Sequence, residues 1–144
     1  MHNNTYSVKQ VIPNTDYLLF RKGIKPEWED EANKQGGKWV VTLPIEDDMD
    51  DECEYAWTYL LLAVVGGVFD VDTRYLINGI VFSIRDKHQR ISVWLANNLE
   101  SKKIMRIGKQ FREISKIPMQ YKIGYQVHLK AMMHRLDNET FFAV

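Results

Sequence analysis

One stretch of the chain has its apolar residues spaced for an amphipathic helix. Trp57, Leu60, Leu61, Val64 and Val68 recur at intervals of three and four residues, as one face of a helix requires. The glycine pair at 66–67 is a typical helix end. The pattern predicts a helix that begins near residue 51 and ends at this pair, with Val68 on the same apolar face.

A second helical pattern follows about forty residues later and covers residues 98–115. Its apolar face is formed by Ile104, Ile107, Phe111 and Ile114. Its basic residues lie mostly outside that face: Lys102, Arg106, Lys109 and Arg112. Pro118 prevents continuation, because proline lacks the backbone N–H that a helix needs.

Five segments are predicted to be strands: residues 38–43, 77–85, 90–95, 120–126 and 141–144. Their short connections favour an antiparallel sheet, since parallel strands need long crossovers. We therefore expect an α+β fold in which helices pack on the convex face of a curved antiparallel sheet. Trp39 and Trp57 are predicted to be core residues.

The strand at residues 90–95 indicates which face of the sheet is open. Successive side chains alternate, so Ile91 and Val93 are predicted to face the helices, whereas Arg90 and Trp94 face the other way. An indole on the same face as an arginine is poorly suited to the core and is available to a ligand. The alternative is that Trp94 is buried and that Arg90 extends its charged end to solvent.

Composition limits the function classes. The 144 residues, 45% of them hydrophobic, are predicted to form a single domain over 1–144. No apolar run reaches the roughly 18–20 residues of a membrane span, and the N-terminus lacks the features of a signal peptide. The single cysteine, Cys53, suits a reducing compartment.

The chain carries no recognised catalytic, nucleotide-binding or metal-binding motif. Its four histidines, at 2, 88, 128 and 134, are scattered, and each is predicted to be a surface residue rather than a metal ligand. We therefore expect a binding protein, not an enzyme, with no metal and no cofactor.

Charge is unevenly distributed although the formal net charge is zero. Residues 29–54 contain ten acidic residues and two lysines, whereas residues 85–135 contain twelve basic and three acidic ones. A basic half of this kind attracts phosphate. The alternative is that its cations are simply solvated.

Two segments together suggest a ligand. Residues 26–31 (PEWEDE) place an indole beside a carboxylate in a polar loop, and residues 85–94 (RDKHQRISVW) place cations and another indole on a predicted hairpin. A ligand that uses all of these has a cationic π-system, hydrogen-bond donors on one edge and a phosphate tail. A methylated guanine nucleotide meets that description.

The order of several segments closely resembles the eukaryotic translation initiation factor 4E family, which binds the messenger RNA cap. The matching segments are residues 16–31 (DYLLFRKGIKPEWEDE), 36–39 (GGKW), 78–85 (NGIVFSIR), the strand of Trp94, and 123–128 (IGYQVH). The resemblance extends over nearly the whole chain from residue 16 and implies a cap-binding slot on the concave face of the sheet.

The resemblance also implies a role for each site residue. Trp28 stacks on 7-methylguanine, with a cation–π contribution of roughly 0.5–2 kcal/mol, and Glu29 accepts hydrogen bonds from the guanine edge. Trp94 contacts the N7 methyl group. Arg85 and Arg90 bind the cap phosphates, and arginine suits paired oxygens. Lys87 is a weaker phosphate candidate and is equally readable as an ordinary turn residue.

The same resemblance implies capped mRNA as a ligand, in translation initiation in the cytoplasm. An additional nuclear location is left open as an alternative. The resemblance further implies an initiation-factor scaffold or a 4E-binding regulatory protein on the convex helical face, for which Tyr6 and Leu62 are the candidate contacts. No membrane is expected as a partner.

Two departures from the family leave a second hypothesis open. The family's first strands, which supply the other stacking tryptophan, are missing from this sequence, and one position on the convex face reads Thr58. The alternative function is therefore that of a truncated relative with weakened or lost cap binding, which acts as a protein-interaction or translation-regulating module.

Overall fold

A computed structural model describes residues 14–45, 50–128 and 142–144 of the chain. Two helices, α1 (Asp50–Gly66) and α2 (Ser101–Ser115), accompany a short 3₁₀ helix at Arg74–Leu76. The strands are β1 (Thr15–Phe20), β2 (Gly37–Pro44), β3 (Ile77–Ile84), β4 (His88–Leu95), β5 (Gly124–Val127) and β6 (Phe142–Ala143).

The strands form one antiparallel sheet in the order β1-β3-β4-β2-β5-β6. The expected α+β class with an antiparallel sheet is therefore confirmed. β1 was not predicted. The segment predicted as a strand over 120–126 is wrong at its start, because pairing with β2 begins only at Gly124.

Both helices end for identifiable reasons. α1 ends at the glycine pair as predicted, since Gly67 has a φ of +68°, a left-handed conformation that glycine adopts readily. Val68 therefore lies beyond the helix and is exposed, so its predicted place on the apolar face is wrong. α2 begins three residues later than predicted and is closed by the left-handed residue Lys116.

The core lies between the inner face of the sheet and the two helices. Trp39 and Trp57 are both buried, as predicted. The indole Nε1 of Trp39 donates to the carbonyl of Ile104 at 2.9 Å. Opposite this indole α2 has Gly108, where a Cβ would come within 2.5 Å of the Trp39 ring. Close contact of β2 with α2 thus depends on a residue without a side chain.

Arg112 is an exception to the prediction that the basic residues of α2 lie outside. It is half-buried, and its guanidinium donates to the carbonyls of Pro118 at 2.8 Å and Val144 at 2.6 Å. Arg112 therefore ties α2 to the end of the chain instead of offering a free charge.

Candidate functional site

The open face of the sheet carries one row of side chains that is mainly aromatic. Cross-strand pairing places Phe20 opposite Gly79, Gly79 opposite Trp94, and Trp94 opposite Lys38. Directly paired residues on one face contact each other across an antiparallel sheet. We call Phe20, Gly79, Trp94 and Lys38 the aromatic row.

Trp94 is the centre of this row, and it is half-buried as the phase of β4 predicts. The ring of Phe20 meets it edge-on with centroids 5.3 Å apart, and the imidazole of His128 lies 4.4 Å from it. The ammonium of Lys38 lies 5.7 Å from the indole centroid. The indole Nε1 of Trp94 donates to the hydroxyl of Ser92 at 3.2 Å. Trp94 is therefore held from several sides.

Lys38 and His128 were not predicted as parts of the site. Burial, together with the positive charge of Arg90, lowers the pKa of Lys38 to about 8. Burial and the Lys38 ammonium lower the pKa of His128 to about 3, so that its ring is neutral at physiological pH. The prediction that His128 is a surface residue is wrong, because it is 4% exposed.

A second row, richer in polar groups, crosses the same face near the other end of the strands. Asp16 pairs with Ser83, Ser83 with Arg90, and Arg90 with Thr42. We call these four residues the charged row. Arg90 is exposed, and its Nε donates to the Thr42 hydroxyl at 3.3 Å.

The spacing of the two rows suits an elongated ligand. Trp94 and Arg90 are four residues apart on β4, which corresponds to roughly 13 Å along a strand. A ligand with a flat ring at one end and an anion at the other can therefore engage both rows at once. Ser92 and Val81 pair with each other between the two rows, and both have small side chains.

Arg85, just beyond the end of β3, is already paired. Its guanidinium donates to the Asp16 carboxylate at 3.0 Å. Burial tends to raise the pKa of Asp16, but hydrogen bonds from Ser83 and Arg85 outweigh it and lower that pKa. Both predicted phosphate-binding arginines thus lie on the open face, but only Arg85 has a carboxylate beside it among the described contacts.

Lys87 lies at the turn of the β3–β4 hairpin rather than in either row. It is exposed, and its backbone carbonyl accepts a hydrogen bond from the N–H of Ile45 at 3.1 Å. Lys87 therefore lies at the turn beyond the charged end of the face, with its side chain exposed.

An open groove of about 340 Å³ adjoins Arg90. Its walls are formed by Val40, Thr42, Arg90, Gln120, Tyr121, Lys122, Gly124 and Gln126. A second cavity of about 370 Å³ lies between β1 and the C-terminal part of α1 and includes none of the predicted site residues.

The loop of Trp28 and Glu29 borders the aromatic row. It leaves β1 after Phe20 and enters β2 at Gly37, next to Lys38, so both of its ends adjoin the strands that carry that row. Within it, Trp28 is half-buried and Glu29 is exposed. The loop is a series of turns, stabilised where the Asp30 carboxylate accepts the N–H groups of Lys25 at 3.0 Å and Ala32 at 2.9 Å.

Of the two candidate partner contacts, only Leu62 is described, and it lies away from both rows. Leu62 is 65% exposed on α1, which packs on the other face of the sheet. Tyr6 lies outside the described residues.

Among residues 14–45, 50–128 and 142–144, no group of three or more His, Cys, Asp and Glu side chains is arranged to hold a metal ion. No helix within these ranges is both long and apolar enough to cross a membrane.

The chain is similar to a set of known proteins in sequence and in fold. The family model described as eukaryotic initiation factor 4E matches residues 1–140. Eukaryotic translation initiation factor 4E1 of Drosophila melanogaster is 33% identical over 138 residues, which are 96% of this chain and 52% of that protein. Human eukaryotic translation initiation factor 4E is 34% identical over 128 residues, 89% of this chain and 58% of that protein. The chain thus spans just over half the length of these relatives.

Solved structures of the same kind share the fold. Caenorhabditis elegans eIF4E-3, in complex with the 4E-binding protein Mextli, superposes with a TM-score of 0.87 at 29% identity, covering 98% of this chain and 76% of that one. Ascaris suum eIF4E-3 in complex with the m7G cap superposes with a TM-score of 0.82 at 29% identity, covering 98% and 74%.

The family is one of initiation factors, which agrees with the prediction of a binding protein rather than an enzyme. With the family model matched over nearly all of its residues, this chain belongs to the eukaryotic initiation factor 4E family.

Proposed function

We propose that the chain binds the 7-methylguanosine cap of mRNA and takes part in translation initiation. The observation that carries this proposal is the arrangement of the open face, where the aromatic row around Trp94 and the charged row around Arg90 lie at opposite ends of the same strands. The family relationship supports the choice of the mRNA cap as the ligand.

The methylated base occupies the end of the face beside Trp28, Glu29 and Trp94. A 7-methylguanine ring is positively charged, so it gains from stacking on an indole more than a neutral purine does. The Glu29 carboxylate has only acceptors to offer, which matches the two N–H donors on the guanine edge. Glu29 is exposed on its loop and so accessible to a ligand.

The phosphates lie towards Arg90, with Lys38 and Arg85 as further cations and Lys87 at the hairpin turn. Arg90 is exposed and its fork is suited to paired phosphate oxygens. Lys38 lies at the base end, opposite Trp94, and the charge of Arg90 still acts on it, so its ammonium is also within electrostatic reach of the phosphate end.

The test is a fluorescence titration with 7-methyl-GTP and with GTP. We expect saturable quenching by 7-methyl-GTP and much weaker binding of GTP, since only the methylated base is cationic. Trp28→Ala and Glu29→Gln are each expected to weaken binding by at least about tenfold, equivalent to about 1.4 kcal/mol.

Glu31→Gln is the matched control, because Glu31 is an exposed carboxylate of the same loop that forms an ion pair with Lys34 at 3.8 Å. The affinity of this variant for 7-methyl-GTP should equal that of the wild type. Equal affinity of the folded Trp28→Ala variant would disprove the proposed site.

We further propose that the outer face of α1 binds a helical segment of an initiation-factor scaffold or a 4E-binding protein. Tyr55, Tyr59, Leu62 and Val65 are exposed along this helix, and the rings of Tyr55 and Tyr59 are stacked at 6.4 Å. Exposed apolar residues at this spacing form an apolar helix face, on which the apolar side of an amphipathic helix can pack. Because translation takes place in the cytoplasm, we propose that the chain acts there.

Leu62→Glu tests this second surface. We expect it to abolish capture of a synthetic 4E-binding peptide in a binding assay while leaving the affinity for 7-methyl-GTP unchanged, because α1 lies on the other side of the sheet. Peptide binding that survives this substitution would contradict the proposal.

A further inference from the structure

The loop that carries Trp28 and Glu29 is held from inside by a buried amide. Asn33 is 0% exposed. Its Nδ2 donates to the carbonyl of Lys25 and to the carbonyl of Glu27, both at 2.9 Å. The amide therefore binds the backbone immediately before Trp28, and both of its N–H groups are used.

A second amide, from the sheet, completes the arrangement. Asn78 is 4% exposed, and its Nδ2 donates to the carbonyl of Ala32 at 2.7 Å and to the Oδ1 of Asn33 at 2.9 Å. Since Asn33 uses its nitrogen for the loop carbonyls, its oxygen is the atom that faces Asn78. The orientation of each amide is thus fixed by the other.

An irregularity in β3 explains why Asn78 is free to face the loop. Ile77 pairs with Leu95 and Gly79 pairs with Trp94, so that Asn78 is the extra residue at a register shift between the two strands. Such bulges redirect a side chain, and they are common beside functional sites. The backbone carbonyl of Asn78 accepts the N–H of Arg21 at 2.9 Å, which ties the start of the loop to the same point.

The bulge also sets the loop relative to the aromatic row. Gly79, the next residue along β3, is the direct partner of Trp94. Holding Ala32 and Asn33 at Asn78 therefore fixes the segment with Trp28 and Glu29 against the strand pair that presents Trp94. A recognition loop ordered before binding loses less entropy when the ligand arrives.

We propose that Asn78 is a positioning residue for cap recognition: acting through Asn33, it holds the Trp28–Glu29 loop in a binding-ready conformation against β3. This inference rests on the proposed function. It adds a residue that contacts no ligand and lies on a different element from the loop it controls.

The first experiment measures the loop directly, without ligand. In Asn78→Ala we expect faster hydrogen exchange at the amides of Asn33 and Lys34, which bond to the carbonyl of Asp30, while the amides shared by β3 and β4 keep their protection. Unchanged exchange at these two loop amides would overturn the inference.

The second experiment measures 7-methyl-GTP affinity in Asn78→Ala, Asn33→Ala and the double variant. Each single variant is expected to bind about tenfold more weakly. The double variant should bind about as weakly as either single one, because residues that act as one unit are not additive. Additive losses would show that Asn78 does not act through Asn33.

Ser115→Ala is the control for loss of a buried polar group, since Ser115 is also buried but bonds within the C-terminal turn of α2. It should lower stability without changing affinity or loop exchange. If the wild-type chain fails to bind 7-methyl-GTP, the proposed function is wrong, and the exchange measurement still decides whether Asn78 holds the loop.

Discussion

The ring of Phe20 packs edge-on against Trp94, with centroids 5.3 Å apart and an angle of 82° between the rings. This contact is made over Gly79, which lies between them in the sheet and where a Cβ would come within 2.4 Å of the Phe20 ring. A glycine at this position therefore lets Phe20 reach the indole of the candidate site.

Gly79→Ala is expected to displace Phe20 and to destabilise the fold by about 1–3 kcal/mol, the usual range for overpacking. Urea unfolding measures the change in free energy, and the fluorescence of the folded state should report the altered surroundings of Trp94. Gly66→Ala is the matched control, because the nearest atom to its added Cβ is 3.9 Å away. A Gly79→Ala variant as stable as Gly66→Ala would contradict this account.

The presence of an open face could be predicted from the sequence, because it depends only on the alternation of side chains along a strand. Ile91 and Val93 are buried and Arg90 is exposed, as the phase of that strand requires. Both helices could be predicted for a similar reason, because the three- and four-residue spacing of their apolar residues can be seen within one short segment of the sequence.

β1 was missed because, Asp16 apart, its open face is apolar like the face that packs on the core. Tyr17 and Leu19 pack against the core, whereas Leu18 and Phe20 lie on the open face. The usual alternation of polar and apolar residues is absent here, because Phe20 on the open face packs against an aromatic ring of another strand. No sequence pattern signals that partner, because Trp94 is more than seventy residues away.

His128 and Lys38 were missed for a different reason. Their roles follow from tertiary pairing: Lys38 is opposite Trp94, and the N–H of His128 donates to the carbonyl of Gly36 at 3.0 Å, which brings its ring to the same indole. The Asn33–Asn78 contact likewise joins residues 45 positions apart. Each of these needs the strand order, which local patterns do not give.

Lys38 is expected to titrate with a midpoint of about 8. Burial lowers its pKa, and so does the charge of Arg90, so that Arg90→Gln should raise the midpoint. NMR detection of the lysine side-chain carbons over pH 6–11 measures both values. Thr42→Val, which removes the hydroxyl bonded to Arg90 but no charge, should leave the midpoint much closer to that of the wild type. An unchanged midpoint in Arg90→Gln would refute the coupling.

His128 is expected to make the fold less stable in acid. Its pKa is about 3 in the folded chain and 6.5 in an ordinary environment, so between these values the unfolded chain binds the proton and the folded one does not. The unfolding free energy therefore falls as pH is lowered from about 6.5 towards 3, by at most about 1.4 kcal/mol per pH unit.

His128→Phe keeps an aromatic ring beside Trp94 but cannot titrate, so its stability should fall less steeply over this range. Urea unfolding at several pH values measures both slopes, and their difference isolates His128 from the carboxylates that titrate in the same region. Parallel curves for the two proteins would show that His128 is not responsible.

Asp16 is expected to restrain phosphate binding, because its carboxylate lies 3.0 Å from the Arg85 guanidinium. Asp16→Asn removes the negative charge while preserving size, which leaves the full charge of Arg85 available to a phosphate. The gain is limited by the modest strength of exposed ion pairs, at most about 1 kcal/mol, so we expect 7-methyl-GTP to bind up to about fivefold more tightly.

The comparison ligand is 7-methylguanosine, which has no phosphate and whose affinity should not change in Asp16→Asn. Asp72→Asn controls for the change in net charge, since it removes an exposed carboxylate away from both rows. Isothermal titration at two salt concentrations completes the measurement, because a gain that comes from phosphate attraction shrinks as salt screens the charges. A gain that is equal for both ligands would instead place the effect of Asp16 at the base end, beside Phe20 and Trp94.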